Sequence, residues 1–212
     1  GISVQYSGDF QALENLLPVD QKSALSEHFR SALNTYTEAN AFWLGGFDPT
    51  GRLVALCAAR LDDLGREDLG TYLKKYWSRC YPGGNGQQAK PADIQPRFWS
   101  EMNGRVAYYG DFLLKREGYQ GRGLPKLFAP LCVLLGVLKW QPDWHYCWTN
   151  SRDWSMRYPL AYGFRQIHSC GLRWERPPET IAADLVAAVN SRSNALDWMD
   201  ELAESYLGAS NS

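Results

Sequence analysis

Midway along the chain, Val106 to Lys115 reads as the strongest strand, Gly118-Tyr119-Gln120-Gly121-Arg122-Gly123 as a glycine-rich turn, and Leu124 to Trp140 as a helix. This unit restricts the fold more than any other segment. Glycines at 118, 121 and 123 let the backbone take left-handed or crowded conformations beside a ligand. The helix aims its unpaired N–H groups and the positive end of its dipole back into the turn, a corner that holds phosphate without any special side chain. Lys115, Arg116, Arg122 and Lys126 add four positive charges around it. With 22 Lys and Arg against 23 Asp and Glu, and a formal net charge of -1, the rest of the chain is neutral, so this patch is local. A diphosphate is its natural guest. The same neutrality argues against a nucleic-acid binder working through bulk charge.

Around this unit the chain reads as one globular domain with an appendage. At 45% hydrophobic and 21% charged, the composition excludes a disordered or fibrous chain. The longest apolar run, Leu131 to Leu138, falls well short of the roughly 20 residues a bilayer span needs, so no membrane role is expected. No secretory signal stands at the start. Five cysteines, an odd count with no metal-clip spacing, predict reduced, buried thiols, a cytoplasmic protein and no metal site.

Ile2 to Tyr6 alternates like a strand, and Asp9 caps a first helix that Pro18 ends. Leu25, Phe29, Leu33 and Tyr36 predict a second helix from near Asp20. Ala41–Phe47 and Leu53–Leu61 form a hairpin across Asp48-Pro49-Thr50-Gly51. The stretch 64–104 holds a helix over 68–81 and then a polar, proline-bearing connection. It reads as an insertion, either a lid or binding loop or a mobile excursion. His145–Thr149 is a strand, Arg152–Ala161 a short helix, and Phe164–Trp174 one or two closing strands. From Glu179 the tail reads as two helices, an acidic amphipathic cap. The expected division is 1–176 for the domain and 177–212 for a helical C-terminal extension.

Three motifs explain a glycine-rich phosphate corner, and two fail. A Walker P-loop needs Lys and Ser or Thr after its second glycine, where Leu124 and Pro125 stand. A dinucleotide fingerprint starting at Gly121 needs glycine at 126, which is Lys126, and parallel strands early in the chain. The third survives. Gln120-Gly121-Arg122-Gly123-Leu124 resembles the pyrophosphate-binding signature Gln/Arg-x-x-Gly-x-Gly/Ala of the GCN5-related N-acetyltransferase (GNAT) superfamily. Asn150, Tyr158 and Gly163-Phe164 are similar to the Asn…Tyr…Gly-Phe segment of the same family. The order of elements from about residue 2 to 176 also resembles that fold.

The resemblance implies an α+β domain: a mixed, mostly antiparallel sheet flanked by helices and splayed to admit an acyl-CoA. It implies acetyl-CoA as co-substrate, a small-molecule amine as acceptor, and direct attack of the amine on the thioester. In such enzymes a base deprotonates the ammonium and a tyrosine protonates the departing thiolate. Carried onto this sequence, strand amides near Leu113, Leu114 and Lys115 orient the thioester arm. Gln120, Gly121, Arg122, Gly123, Leu124 and Lys126 hold the diphosphate. Asn150 either bonds the arm or caps the next helix. Tyr158 takes the place of the acid, or anchors its helix. Asp111, the only carboxylate on the central strand, is the candidate base, with hydrogen-bonded structure as the alternative; Gly110 beside it permits a bulge. His145 is a substitute base or a polar strand end, and Cys147 an inert core thiol. Trp140, Trp144, Trp148 and Trp154 wall an acceptor pocket or fill the core.

The sequence also departs from the family pattern. Pro125 fills the last signature position and offers no N–H, Pro130 predicts a kink, and Tyr158 sits one residue too far from Gly163. That offset turns a helical side chain by about 100°. It motivates one rival, a non-catalytic acyl-CoA-binding module; the tryptophan wall motivates another, an acyltransferase using a longer acyl chain.

Overall fold

From Ala41 to Leu44 and from Leu53 to Arg60 every residue is buried, so these strands need a packed layer on both faces. The computed structural model supplies both layers. It describes the chain apart from residues 19–21, 82–86, 115–123, 151–152, 154, 156, 180, 183 and 210–212, and apart from the side chains of 124–126 and 206–209. In chain order the elements are β1 (Ser3–Ser7), α1 (Phe10–Leu16), β2 (Ala41–Phe47), β3 (Leu53–Asp63), α2 (Leu69–Cys80) and β4 (Lys90–Pro91). After a 3-10 turn (Arg97–Glu101) come β5 (Arg105–Leu114), α3 (Leu124–Trp140), β6 (Trp144–Thr149) and α4 (Tyr158–Ala161). β7 (Gln166–His168), β8 (Trp174–Arg176), β9 (Val186–Ser191) and α5 (Arg192–Ala209) complete the chain.

Seven strands form one sheet in the order β1-β2-β3-β5-β6-β9-β7, and β4 pairs with β8 separately. Among the described residues only β5 and β6 run parallel; the other pairings are antiparallel. The β2–β3 hairpin closes as its turn chemistry requires, with Asp48 Oδ1 accepting from the Thr50 N–H at 2.9 Å and hydroxyl at 2.6 Å. One face carries α1, α2 and the 3-10 turn over a core that includes Leu13, Leu73, Trp77 and Trp99. The other carries α3 and α5 over Phe42, Tyr109, Cys132 and Trp198. At Gly136 the helix α3 comes so near β5 that a Cβ would stand 2.2 Å from Tyr109 Oη.

Three expectations change. Residues 22–36 form turns, not a second helix. Leu25 and Phe29 are buried as their spacing requires, but distant carboxylates capture the backbone donors: Asp111 takes the Ser26 N–H, and Glu14 takes the Ser31 N–H at 2.9 Å. Among the described residues of 64–104, Leu69, Leu73, Trp77, Trp99 and Met102 are packed down at 0–1% exposure and β4 is pinned to β8. These residues cover a sheet face instead of hanging from a hinge. Finally, the tail is one strand and one helix. β9 lies inside the sheet between β6 and β7, because Val186-Ala187-Ala188-Val189 is buried on both faces, and among the described residues of the tail α5 alone is helical.

The five cysteines are free thiols; Cys57, Cys80, Cys132 and Cys147 are buried, whereas Cys170 is exposed. Helix α3 runs through Pro130 without interruption. Among the described residues no helix is long and apolar enough to cross a membrane.

Burial, and then the Arg192 charge, holds His145 down at about 3; burial, with Arg60 beside it, holds His28 well below the usual imidazole value. Below about pH 6.5 the unfolded chain takes up protons that these rings refuse, so stability falls with pH from there toward 3, by up to about 1.4 kcal/mol per pH unit for each histidine. Thermal melts should be flat above pH 7 and drop between pH 6.5 and 5. His145→Gln should make the slope shallower. A melting temperature constant from pH 7.5 to 5 would contradict this account.

Candidate active site

The two parallel strands separate where the acyl-CoA cleft is expected. β5 and β6 pair from Val106↔Trp144 through Tyr109↔Cys147 and no farther. Beyond that point β5 stays with β3 as far as Leu114↔Ala55, while β6 stays with β9 as far as Thr149↔Val186. Each strand keeps its outer partner, so the sheet opens as a V whose inner edges are Gly110–Leu114 and Trp148–Thr149. Backbone groups on those edges have no ladder partner across the split, and buried or half-buried N–H groups of this kind seek one in a ligand. β5 then leads through the glycine-rich stretch into the N-terminus of α3.

A bulge sits at the opening. On β3 Leu56 and Ala58 are two residues apart, whereas their partners Leu113 and Gly110 are three apart, so Asp111 and Phe112 together oppose Cys57. Asp111 takes a left-handed backbone with φ 52°, uncommon for any residue but glycine. This places its carboxylate, 1% exposed, beneath the 22–30 segment. Lys22 Nζ lies 2.6 Å from Oδ1. The Ser26 N–H donates to Oδ1 at 3.0 Å and Oδ2 at 3.2 Å, and the Ser26 hydroxyl donates to Oδ2 at 3.0 Å. Both oxygens are engaged and shielded from water. The bulge expected beside Gly110 is therefore present, and the carboxylate it re-aims is tied to Lys22 and Ser26.

Aromatic rings line the other side. Phe112 stacks on Tyr162 at 4.9 Å and 24°, and Tyr162 on Tyr158 at 6.2 Å and 9°. Tyr158 opens the one-turn α4, which follows a left-handed Arg157 (φ 58°). Burial keeps the Tyr162 phenol well above its usual range. Gly163 turns the chain at φ 97°, and a Cβ there would meet Trp198 of α5 at 2.4 Å. Asn190 of β9 clasps the same turn, donating to the Gly163 carbonyl at 2.8 Å and accepting from the Arg165 N–H at 2.7 Å. Asn150 and Asp153 bond one another: the Asp153 N–H donates to Asn150 Oδ1 at 2.7 Å and Asn150 Nδ2 donates to Asp153 Oδ2 at 2.9 Å. Asn150 is thus tied to Asp153, three residues farther along.

Of the remaining expected residues, Leu113 and Leu114 stand on β5 at the splayed edge. Lys115, Gln120, Gly121, Arg122 and Gly123 lie outside the described residues, as does Trp154. Leu124 begins α3, with its side chain and that of Lys126 outside the description as well. His145 is buried with Nδ1 3.1 Å from Tyr109 Oη, and Cys147 is buried beside it, so neither reaches the cleft. The tryptophans divide between the faces. Trp140 packs on Phe42 and donates to the Ala39 carbonyl at 2.8 Å. Trp148, on the face of α2, meets Trp77 at 5.4 Å and Trp99 at 5.3 Å. Tyr162 was legible, since it precedes Gly163 and lies four residues after Tyr158. Lys22 and Ser26 were not: they lie more than eighty residues from Asp111 in sequence.

No protein-family description matches the chain, and no curated protein does. Solved structures match its fold. An N-acyl amino acid synthase, FeeM, from uncultured soil microbes superimposes with a TM-score of 0.51 at 14% identity, over 91% of this chain and 93% of that one. Arabidopsis thaliana NAA60, solved with acetyl-CoA, superimposes with a TM-score of 0.50 at 14% identity, over 90% and 98%. The architecture is thus that of the acyl-CoA N-acyltransferases, as the glycine-rich signature implies.

Removing the Asp111 carboxylate should loosen the 22–30 segment. Asp111→Ala is expected to cost about 2–4 kcal/mol, because it leaves the Ser26 donor buried without a partner and alanine tolerates the left-handed backbone poorly. Asp111→Asn, which still accepts from Ser26 and suits that backbone, should cost less than half as much. Urea unfolding measures both; equal losses would mean that the carboxylate is not what ties Ser26 down.

Proposed function

From the acyl-CoA N-acyltransferase fold and its open β5–β6 cleft, we propose that this chain is a CoA-dependent N-acyltransferase that acetylates an amine, most naturally of a small molecule. One observation carries the reading: β5 and β6 part after Tyr109↔Cys147 beside a bulge, on the strand that runs into the glycine-rich turn and α3. The residues fit the co-substrate. Unsatisfied strand amides near Leu113 and Leu114 meet the amide-rich arm. The turn Gln120–Gly123, the α3 N-terminus and the charges of Lys115, Arg122 and Lys126 receive the diphosphate. The bound thioester supplies an activated acyl group to the attacking amine.

The chain's own part is positioning and proton handling. Tyr158 is the proposed acid, held in place by its stack on Tyr162. Asp111 is reassigned from base to positioning residue, because its oxygens are occupied by Lys22 and Ser26. Asn150 keeps the end of β6 in place through its bonds to Asp153. Buried thiols suit a reducing, cytoplasmic setting. FeeM, of similar fold, is an N-acyl amino acid synthase, so an acyl group other than acetyl stays within this reading. Asp111's engagement favours one rival, an acyl-CoA-binding module without turnover.

Incubation with acetyl-CoA and a panel of amines, with free thiol followed by colour, separates these readings. Thiol release that depends on an amine supports the enzyme; stabilisation by CoA with no release on any amine favours the binding module. Gly123→Glu should abolish CoA affinity, since it sets bulk and negative charge where the diphosphate belongs. Tyr158→Phe should slow turnover by about 100-fold with CoA affinity intact. If it does not and Tyr162→Phe does, the acid is Tyr162.

A further inference from the structure

Helix α3 has an outer face that a solvent-exposed helix does not normally carry. Its inner residues Phe128, Cys132, Val133 and Val137 pack on the sheet. On the opposite side stand Leu127, Leu131, Leu134 and Leu138, within an arc of about 60° at 100° per residue. Leu127 is 51% exposed, Leu131 36% and Leu138 61%, while Leu134 is half-buried and belongs to neither core. Charged and polar residues usually fill this stripe on a surface helix, and a helix that is apolar all round is normally covered on every side.

We propose that this leucine stripe is the contact surface for a second copy of the chain, joined about a twofold axis with the two α3 helices antiparallel. The spacing argues for a copy over an unrelated partner. The leucines follow one another at intervals of four, three and four residues, which reads the same in both directions. The alternation of four and three is also that of a helix–helix seam. Reversing one helix therefore sets Leu127 against Leu138 of the other copy and Leu131 against Leu134, with no leucine left over. A twofold contact requires this self-complementarity. No charged residue lies within the stripe to repel a copy; Lys139, exposed at its border, lies over the Tyr6 ring, 5.7 Å from its centroid. Val4 at 54% and Tyr6 at 45% exposure extend the apolar surface along the β1 edge. Together the six side chains expose on the order of 450 Å², the scale of a protein's largest and often functional apolar patch, and more than half of the ~800 Å² each partner gives a standard interface.

Sedimentation equilibrium over a range of concentrations tests the pairing and its register. The unaltered chain should approach twice its 24.0 kDa mass. Leu131→Glu alone and Leu134→Lys alone should each halve that mass, with melting temperatures little changed because both side chains point away from the core. Mixing the two variants should restore the dimer, since the antiparallel register sets the carboxylate introduced at position 131 of one copy against the ammonium introduced at position 134 of the other. A chain that stays single at the highest concentration attainable overturns the proposal. So does a dimer that neither variant disturbs, or a mixture that fails to reassociate.

Discussion

Two strands share hydrogen bonds only while they stay about 5 Å apart. The architecture of this protein turns on the place where β5 and β6 stop doing so. Each strand is held on its outer side, β5 by β3 and β6 by β9, and the outer ladders continue after the inner one has ended. The opening is thus a consequence of where the other strands are anchored, and it needs no dedicated loop. Backbone groups along the V are left without a ladder partner across the split, at the middle of the sheet.

The bulge links that opening to what covers it. Because Asp111 is left-handed, its carboxylate leaves the regular alternation of the strand and enters the layer above, where Lys22 and two donors of Ser26 meet it. The Ser26 N–H given to Asp111, and the Ser31 N–H given to Glu14, are two backbone donors that a helix over 22–36 would have used for itself. The strand and the covering segment therefore support one another, and the geometry of the cleft depends on both.

At the far end, the segment after residue 185 belongs to the sheet. β9 gives β6 the outer partner that the splay requires, Asn190 and Trp198 hold the Gly163 turn, and that turn fixes the aromatic stack of Tyr158, Tyr162 and Phe112. Truncating the tail would therefore unmake the cleft from the β6 side.

The sequence by itself determined the local elements whose signals lie within a few residues: the Asp48–Gly51 hairpin turn, the Asp9 cap, and the β5 strand with room for a bulge beside Gly110. Each rests on backbone chemistry that neighbouring residues decide. Tertiary structure alone decided which carboxylate is free. Asp111 reads as a candidate base until Lys22 and Ser26 are brought to it across more than eighty residues. It likewise split Trp140 and Trp148 between opposite faces and drew β9 into the sheet, where its run of small and β-branched residues found a strand on either side. Those outcomes depend on long-range pairing and burial, which no short window of sequence contains.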